Sequence, residues 1–261
     1  MQPDNLEGKV ALVTGGTRGI GFRIAEALAE KGARVTVNGR SAEHGEEALS
    51  RLSRVSPHVA FEAGECGDYA AIARVVERTV SRTGGLDIVV SAGAAGTLGP
   101  TPFAEMTPEQ IESGFRSRFF PRIYPVHASL PALRARGAGS IVMVTTDAAR
   151  HPTPGESVIG AVGAGIVLMT KALAREFARW HIRVNAVALT LTSDTPGWDR
   201  IFSKPGFENR LFSKALERFP GGRAPTAEEV AQVAAFLASD LALQVTGQTV
   251  SVNGGLSFGG W

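Results

Sequence analysis

With 261 residues, of which 44% are hydrophobic and 20% charged, the chain has the size and composition of one compact domain. Its net charge of +2, with lysines and arginines scattered singly, argues against a nucleic-acid partner. Cys66 is the only cysteine, so no intrachain disulfide can form, and residues 1–9 are polar and show no secretory signal; a cytoplasmic location is expected. No membrane partner is expected, because the longest apolar run, Val158–Met169, is shorter than the ~20 residues of a membrane span.

Seven short β-branched runs alternate with longer amphipathic segments. The short runs predict strands covered on both faces, because they are almost continuously apolar. They are Lys9–Thr14, Arg34–Asn38, His58–Glu62, Leu86–Ser91, Ser140–Thr146, Ile182–Ala188 and Gln248–Asn253. Helical periodicity is found at Gly19–Lys31, Ala42–Arg54, Tyr69–Arg82, Thr107–Ala135, Gly155–Arg179 and Ala227–Ser239. This alternation predicts a single α/β domain over residues 1–261, with a doubly wound Rossmann fold and a parallel sheet flanked by helices.

Residues 189–222 show no clear periodicity and combine proline, glycine, tryptophan and phenylalanine. Because the segment follows the sixth predicted strand, we expect a substrate lid over the carboxyl ends of the strands. Its aromatic residues are compatible with an apolar or aromatic ligand, and equally with ordinary core packing.

The first predicted strand leads into the glycine-rich segment VTGGTRGIG, which opens the first helix. Gly15 permits a turn, and Gly19 and Gly21 allow the backbone to approach a pyrophosphate at the positive end of that helix. A glycine-rich string at the first strand–helix junction of an alternating chain favours a dinucleotide site over a purely structural turn.

The end of the second predicted strand indicates which dinucleotide binds. NAD sites usually have an acidic residue there, but this chain has Gly39 followed by Arg40, and Arg18 lies in the first loop. Two guanidinium groups can clamp a 2′-phosphate, which predicts NADP(H) as the cofactor. The alternative is that Arg18 and Arg40 are solvated surface charges.

The segments TGGTRGIG, VVSAG and RAPTAEEVAQVAAFLASDLALQVTGQTVSVNGG resemble the short-chain dehydrogenase/reductase family, and the likeness runs from about Lys9 to Gly255. The resemblance implies a seven-stranded parallel sheet, a homotetramer or homodimer, and NAD(P) bound across the carboxyl edge of the sheet. It places the chemistry at the fifth strand and the helix after it. The expected cofactor-binding residues are Gly15, Thr17, Arg18, Gly19, Ile20, Gly21, Asn38, Arg40, Glu65, Cys66, Ser91, Ala92 and Gly93.

The catalytic motif of that family is mostly replaced. Thr146 falls on the position of the family's catalytic serine, with Thr145 as an adjacent alternative. The Tyr-x-x-x-Lys pair falls on Ile159 and Gly163, and the asparagine of the preceding helix falls on Arg118. The resemblance therefore implies that the adenosine and phosphate contacts are kept while the usual proton donor is lost.

Four polar residues near the expected cleft are the candidate catalytic residues: Thr146, Arg118, His151 and Asp147. His151 is the best proton donor near neutral pH, although a solvated loop histidine is an equal alternative. Arg118 can stabilise an enolate or carboxylate or simply pair on the surface, and Asp147 can instead cap its loop. Glu156 is expected to cap the start of the following helix. No metal site is predicted.

The predicted fifth helix is unusual because it contains Gly160, Gly163 and Gly165, each of which costs a helix up to ~1 kcal/mol relative to alanine. Such a cluster indicates either close packing against another backbone or space for a bulky ligand.

Three functions remain open. The first is an oxidoreductase that uses NADP(H) to reduce an apolar or aromatic enone, quinone or activated carbonyl, a small-molecule substrate that does not need the missing tyrosine. The second is a non-redox dehydratase, cyclase or isomerase on the same scaffold. The third is a catalytically inactive NADP-binding subunit or sensor. Fold alone does not decide among them.

Overall fold

Seven parallel strands form one sheet in the computed structural model, which describes residues 5–94 and 99–258. The strands are β1 (Val10–Thr14), β2 (Arg34–Gly39), β3 (Val59–Ala63), β4 (Ile88–Ser91), β5 (Gly139–Thr146), β6 (Ile182–Leu189) and β7 (Thr249–Val252). Their order in the sheet is β3-β2-β1-β4-β5-β6-β7. The strand order reverses between β1 and β4, so their carboxyl ends flank the crevice in which ligands of doubly wound sheets bind. The predicted fold class is confirmed.

Helices cover both faces of the sheet, and eight α-helices lie within the described ranges. They are α1 (Gly19–Glu30), α2 (Ala42–Leu52), α3 (Tyr69–Thr83), α4 (Pro108–Arg136), α5 (Ser157–Phe177), α6 (Pro196–Phe202), α7 (Phe207–Leu216) and α8 (Ala227–Ala238). One apolar core joins the sheet to α1, α2 and α8, and a second joins it to α3, α4 and α5. The six predicted helices are all present, with bounds shifted by a few residues.

The predicted lid, residues 189–222, contains α6 and α7, although no periodicity is visible there. Sequence periodicity did not predict these two helices, because helices of seven and ten residues have too few turns to show a period. Thr195 caps α6 by accepting a hydrogen bond from Trp198 N at 3.1 Å. A separate small cluster that includes Leu191, Ile201 and Phe219 holds the segment together. Its role as a lid stays a prediction.

Helix α5 is longer than its apolar run suggests, since with its final turn it extends over Ser157–Trp180, 24 residues. By length and composition alone this segment is long and apolar enough to cross a membrane, although its continuous apolar run, Val158–Met169, is shorter. The core helix of a soluble protein passes the same test, so the indication is weak. Ile166 and Phe177 of α5 belong to the core cluster that includes residues of β5 and β6.

Candidate active site

A cavity of about 670 Å³ opens at the carboxyl ends of β1 and β2 and beside the loop after β4. We call it the phosphate-loop cavity. Nine of the predicted cofactor-binding residues line it: Gly15, Thr17, Arg18, Gly19, Asn38, Arg40, Cys66, Ala92 and Gly93.

The start of α1 gives this cavity the character of an anion site. Arg18 occupies the N-cap with an extended backbone, its side chain makes no capping hydrogen bond, and the first turn of α1 contains no acidic residue. The amide groups of that turn and the positive end of the helix dipole are therefore available to a phosphate. Gly15 has φ +66°, and a Cβ there would lie 2.8 Å from Gly93 Cα, so this close approach of two loops requires glycine.

Four predicted contacts lie outside the lining of the phosphate-loop cavity, and one of them, Glu65, accepts a hydrogen bond from Gly67 N at 3.0 Å. Ser91 is buried beneath it and donates a hydrogen bond to Arg122 O at 2.8 Å. Gly21 packs against the backbone of the preceding loop, and Ile20 lines a neighbouring cavity. Cys66 does line the phosphate-loop cavity, and burial, with the Glu65 charge adding to it, raises the pKa of its thiol to about 12. Cys66 therefore presents a neutral thiol.

The end of β2 combines a cation with an unused acceptor. Arg40 Nε lies 3.4 Å from Glu65 Oε2, so this cation already has an acidic neighbour. Asn38 donates to Glu62 O and Gly64 O, each at 3.0 Å. Its buried Oδ1 accepts no hydrogen bond from the described residues. A donor on an adenosine ligand fits this atom, because a buried acceptor without a partner is costly.

A second cavity, of about 460 Å³, lies between the loop after β5 and the 189–222 segment. We call it the β5-loop cavity. Its polar lining includes Thr145, Thr146, Asp147, His151 and Glu156, and its apolar lining includes Leu191, Trp198, Ile201, Leu211 and Phe212. Gly197 lines both cavities, so they adjoin each other. The fold thus brings together three of the four predicted catalytic residues, while Arg118 is not among the described residues that line either cavity.

The loop after β5 packs tightly on the glycine face of α5. A Cβ at Gly163 would lie 2.7 Å from Thr146 Cγ2 and 3.0 Å from Ala149 Cβ, and one at Gly160 would lie 2.6 Å from Ala148 O. Of the two explanations for these glycines, the contacts favour close packing over space for a ligand. Thr146 Oγ1 accepts from Ala148 N at 3.2 Å and lines the β5-loop cavity.

Asp147 anchors the β5 loop to β7. Its Oδ1 accepts hydrogen bonds from Ser251 Oγ at 2.6 Å and from Arg150 Nη2 at 3.2 Å, and its Oδ2 accepts one from Asn253 Nδ2 at 2.5 Å. These hydrogen bonds engage both oxygens of the Asp147 carboxylate, which is buried. The geometry therefore favours the loop-holding alternative for Asp147 over a direct role in chemistry.

Replacing Asp147 by asparagine is expected to lower the free energy of unfolding by about 1.5–3 kcal/mol, since hydrogen bonds to a charged group contribute that much. The amide also places a donor next to those of Ser251 and Asn253. Urea denaturation measures the loss, with Asp199→Asn, an exposed residue of α6, as the control, where less than about 0.5 kcal/mol is expected. Equal stability of the two variants would contradict the anchoring role.

His151 is held by its backbone at the edge of the β5-loop cavity. Its N–H donates to Asp147 O at 2.8 Å, and its carbonyl accepts from Thr153 Oγ1 at 3.2 Å. The imidazole is partly exposed and lines the cavity. It is therefore placed where it can reach a ligand.

Glu156 does not cap α5 with its side chain, so that expectation was wrong. The residue occupies the N-cap, where its carbonyl accepts from Gly160 N at 2.6 Å, but its carboxylate makes no capping hydrogen bond. The side chain instead lines the β5-loop cavity. Burial raises the pKa of Glu156 to about 7, and Glu208 adds to that rise, while Thr153 and Arg118 oppose it.

Two arginines, Arg118 and Arg122, lie one turn apart on α4. Burial, and then Arg200, lower the pKa of Arg118, while the charges of Glu156 and Glu208 raise it. Arg122 donates to the carbonyl oxygens of Val144, of Gly93 at 3.1 Å and of Arg118 at 2.9 Å. Burial, with the Arg118 charge adding to it, lowers the pKa of Arg122 to about 10.

Sequence reasoning missed Arg122, although its spacing of four from Arg118 places both on one helix face. That spacing was the available signal. Two of its three carbonyl partners, Val144 O and Gly93 O, lie 22 and 29 residues away along the chain, and nothing in the sequence identifies them.

Known proteins resemble this chain over nearly its whole length. Residues 15–257 match the family model described as enoyl-(acyl carrier protein) reductase. The chain is 34% identical to 2,3-dihydroxy-2,3-dihydro-p-cumate dehydrogenase from Pseudomonas putida strain F1, covering 96% of this chain and 95% of that protein. It is 33% identical to 3-oxoacyl-[acyl-carrier-protein] reductase from Chlamydia muridarum, covering 97% and 98%.

A solved structure extends the likeness to three dimensions. It is an NADPH-bound short-chain oxidoreductase from Pseudomonas aeruginosa PAO1, described as containing an atypical catalytic centre. It shares 32% identity with this chain and superposes with a TM-score of 0.89, covering 98% of this chain and 99% of its own. The dehydrogenase and reductase relatives are oxidoreductases, and members of this group bind nicotinamide cofactors, act on small molecules and are commonly oligomeric. On its fold, its glycine-rich loop and these likenesses, the chain belongs to the short-chain dehydrogenase/reductase family.

Proposed function

We propose that this protein is an NADP(H)-dependent oxidoreductase that reduces an apolar or aromatic enone, quinone or activated carbonyl compound. The observation that carries the proposal is the junction of the two cavities at Gly197. A dinucleotide in the phosphate-loop cavity can extend from there toward the β5-loop cavity. The aromatic side chains of Trp198 and Phe212 on one wall, opposite polar groups on the other, suit an apolar substrate with one reactive oxygen.

The preference for NADP(H) is supported by the charges at the end of β2. Arg18 and Arg40 both line the phosphate-loop cavity, and Gly39 presents no carboxylate to the ribose hydroxyls. Guanidinium groups bind phosphate with paired, charge-assisted hydrogen bonds. The Pseudomonas aeruginosa relative, with 32% identity, is described as NADPH-bound.

The chemistry divides between the cofactor and the residues of the β5-loop cavity. Bound NADPH would supply a hydride to the substrate. Thr146 and His151 line the cavity and would hold the substrate oxygen, steadying the negative charge that grows on it. Arg118 adds a positive potential from α4, where its guanidinium already acts on the charge of Glu156. Asp147 keeps the loop that carries these groups against β7.

Arg40→Ala is expected to weaken NADP(H) binding about ten- to a hundredfold, because one charge-assisted bond contributes about 1.5–3 kcal/mol. NAD(H) binding should change much less, since NAD lacks the 2′-phosphate. Fluorescence titration with both cofactors measures this, and Arg54→Ala, an exposed arginine at the end of α2, is the control. Equal losses for both cofactors would contradict the NADP(H) assignment.

Turnover is tested by following NADPH consumption with a panel of ketones, enones and quinones. We expect turnover with at least one class of enone, quinone or activated carbonyl, and little with simple ketones. Tight NADPH binding without turnover on any class would instead favour a non-redox enzyme or an inactive NADP-binding subunit. The homodimer or homotetramer, the cytoplasmic location and the lid role of residues 189–222 stay part of this proposal.

A further inference from the structure

The face of α5 that carries the family's Tyr-x-x-x-Lys pair holds no acid or base at those two positions. Ile159 and Gly163 occupy them, four residues apart and so on one helix face. Glu156 lies at the N-cap, one turn before Ile159. It is the titratable side chain nearest to those positions along α5, and it lines the β5-loop cavity together with Thr146 and His151.

The 189–222 segment packs against the residue that precedes Glu156. A Cβ at Gly155 would lie 2.5 Å from the ring of Phe207, so the start of α7 packs directly on the residue before Glu156. Thr101 N donates to Gly155 O at 2.7 Å from the other side. The Glu156 carboxyl group is partly buried at the cavity wall, and this burial raises its pKa to about 7.

The charges around Glu156 come from several elements. They are Arg118 on α4, Glu208 and Lys214 on α7, Arg218 after α7, and Asp147 and His151 in the β5 loop, while Arg200 on α6 acts on Arg118. Arg200 and Glu208 are joined by two hydrogen bonds of 3.1 and 2.9 Å, so their charges partly cancel. The negative charge of Glu208 favours the neutral acid at position 156, and Arg118 favours the carboxylate.

We propose that Glu156 is a catalytic residue, the acid that protonates the substrate oxygen in place of the missing tyrosine. The proposal rests on the reductase function proposed above. In this proposal Thr146 and His151 only hold the substrate oxygen and do not protonate it. Glu156 approaches from the same helix as the tyrosine would, but one turn earlier.

The step balances without a further reactant. The substrate carbon receives the hydride with its electron pair, and the π electrons of the carbonyl or conjugated system move to the oxygen. The O–H bond of the Glu156 carboxylic acid breaks, and a new O–H bond forms on the product. The carboxylate that remains takes a proton from water before the next turnover.

The pH dependence of kcat/KM tests the proposal. For the wild type, the rate should fall tenfold per pH unit above about pH 7, because the carboxylate cannot donate a proton. Glu156→Gln should lose this alkaline limb and be slower by about 10²–10⁴-fold, as expected for a lost general acid. Glu156→Asp should keep the limb at a reduced rate. His151→Ala should also keep it, which separates the two candidate donors.

A readout without turnover uses the unliganded protein labelled with ¹³C-glutamate. One carboxyl resonance should titrate near pH 7 in the wild type and be missing in Glu156→Gln. Glu208→Gln is the matched control: removing that negative charge should move both the resonance midpoint and the alkaline limb to lower pH without abolishing either. NADPH binding by Glu156→Gln should equal that of the wild type, which also shows that the variant is folded.

The outcomes separate the two proposals. If the wild type turns over and Glu156→Gln keeps both its rate and its alkaline limb, Glu156 is not the acid, while the reductase function stands. No glutamate resonance titrating near pH 7 would also overturn the assignment. If the wild type binds NADPH but reduces no compound in the panel, the reductase function fails and the acid role falls with it.

Discussion

Arg122→Met is expected to lower the free energy of unfolding by about 3–5 kcal/mol and to weaken NADP(H) binding about tenfold. The guanidinium donates to three backbone carbonyls, those of Val144, Gly93 and Arg118. Methionine fills a similar volume but donates nothing, so Val144 O and Gly93 O lose this donor at a cost of about 1–3 kcal/mol each, while Arg118 O keeps the helical N–H of residue 122. The cofactor effect follows because Gly93 lines the phosphate-loop cavity and lies against Gly15.

Urea denaturation and NADPH titration measure both effects of the Arg122 change. Arg116→Met is the matched control, because Arg116 lies on the same helix, is exposed and pairs only with exposed Glu112 at 3.2 Å within the described chain. Its loss should stay below about 0.5 kcal/mol. If Arg122→Met were as stable as Arg116→Met, the three carbonyl contacts would not support the loops.

Arg122 also shows how the charge of this site differs from the pattern implied by the family resemblance. The position of the family's lysine is Gly163, which carries no charge, while α4 contributes the guanidinium groups of Arg118 and Arg122. Both are desolvated, so their fields reach further than those of exposed arginines. The positive charge behind the β5-loop cavity therefore comes from α4 and not from α5.

The fold followed from local patterns that need no tertiary information. Continuous apolar runs predicted every strand, since parallel strands are covered on both faces, and helical periodicity predicted α8, whose start has a capping box formed by Thr226 and Glu229. Helices α6 and α7 escaped prediction because they are short and pack mainly within their own segment.

Sequence reasoning could indicate which residues lie at the two cavities only where the position of the backbone determines this. Gly15 and Arg40 line the phosphate-loop cavity because their positions directly after β1 and β2 place them at that edge of the sheet. The direction of the Glu156 side chain was mispredicted, because the capping rule considers only the helix and not the cavity beside it. The anchoring of Asp147 depends on Ser251 and Asn253, more than a hundred residues away, and a single sequence does not report such contacts.

Installing the family's pair by the double change Ile159→Tyr and Gly163→Lys is expected to destabilise the protein by at least about 3 kcal/mol and to yield no reduction of simple ketones. The Cβ of any residue at 163 would lie 2.7 Å from Thr146 Cγ2, where Thr146 itself lines the β5-loop cavity. Overpacking of this kind costs about 1–3 kcal/mol, and burying an unpaired ammonium costs more. Relieving the clash requires moving Thr146, the residue that would hold the substrate oxygen.

Two single variants isolate the cause of the expected loss. Gly163→Ala adds only the clashing Cβ, and should lower stability by about 1–3 kcal/mol. Gly165→Ala is the control on the same helix: the three atoms nearest to its Cβ would all belong to the Phe119 ring, with Cε2 closest at 3.1 Å, and the gain in helix propensity offsets that contact. Thermal denaturation and a ketone assay measure all three proteins. A stable double variant that reduces simple ketones would contradict this prediction. It would mean that the β5 loop can move away from α5. The missing Tyr-x-x-x-Lys pair, and not the packing against Gly163, would then be the difference between this site and an ordinary carbonyl reductase.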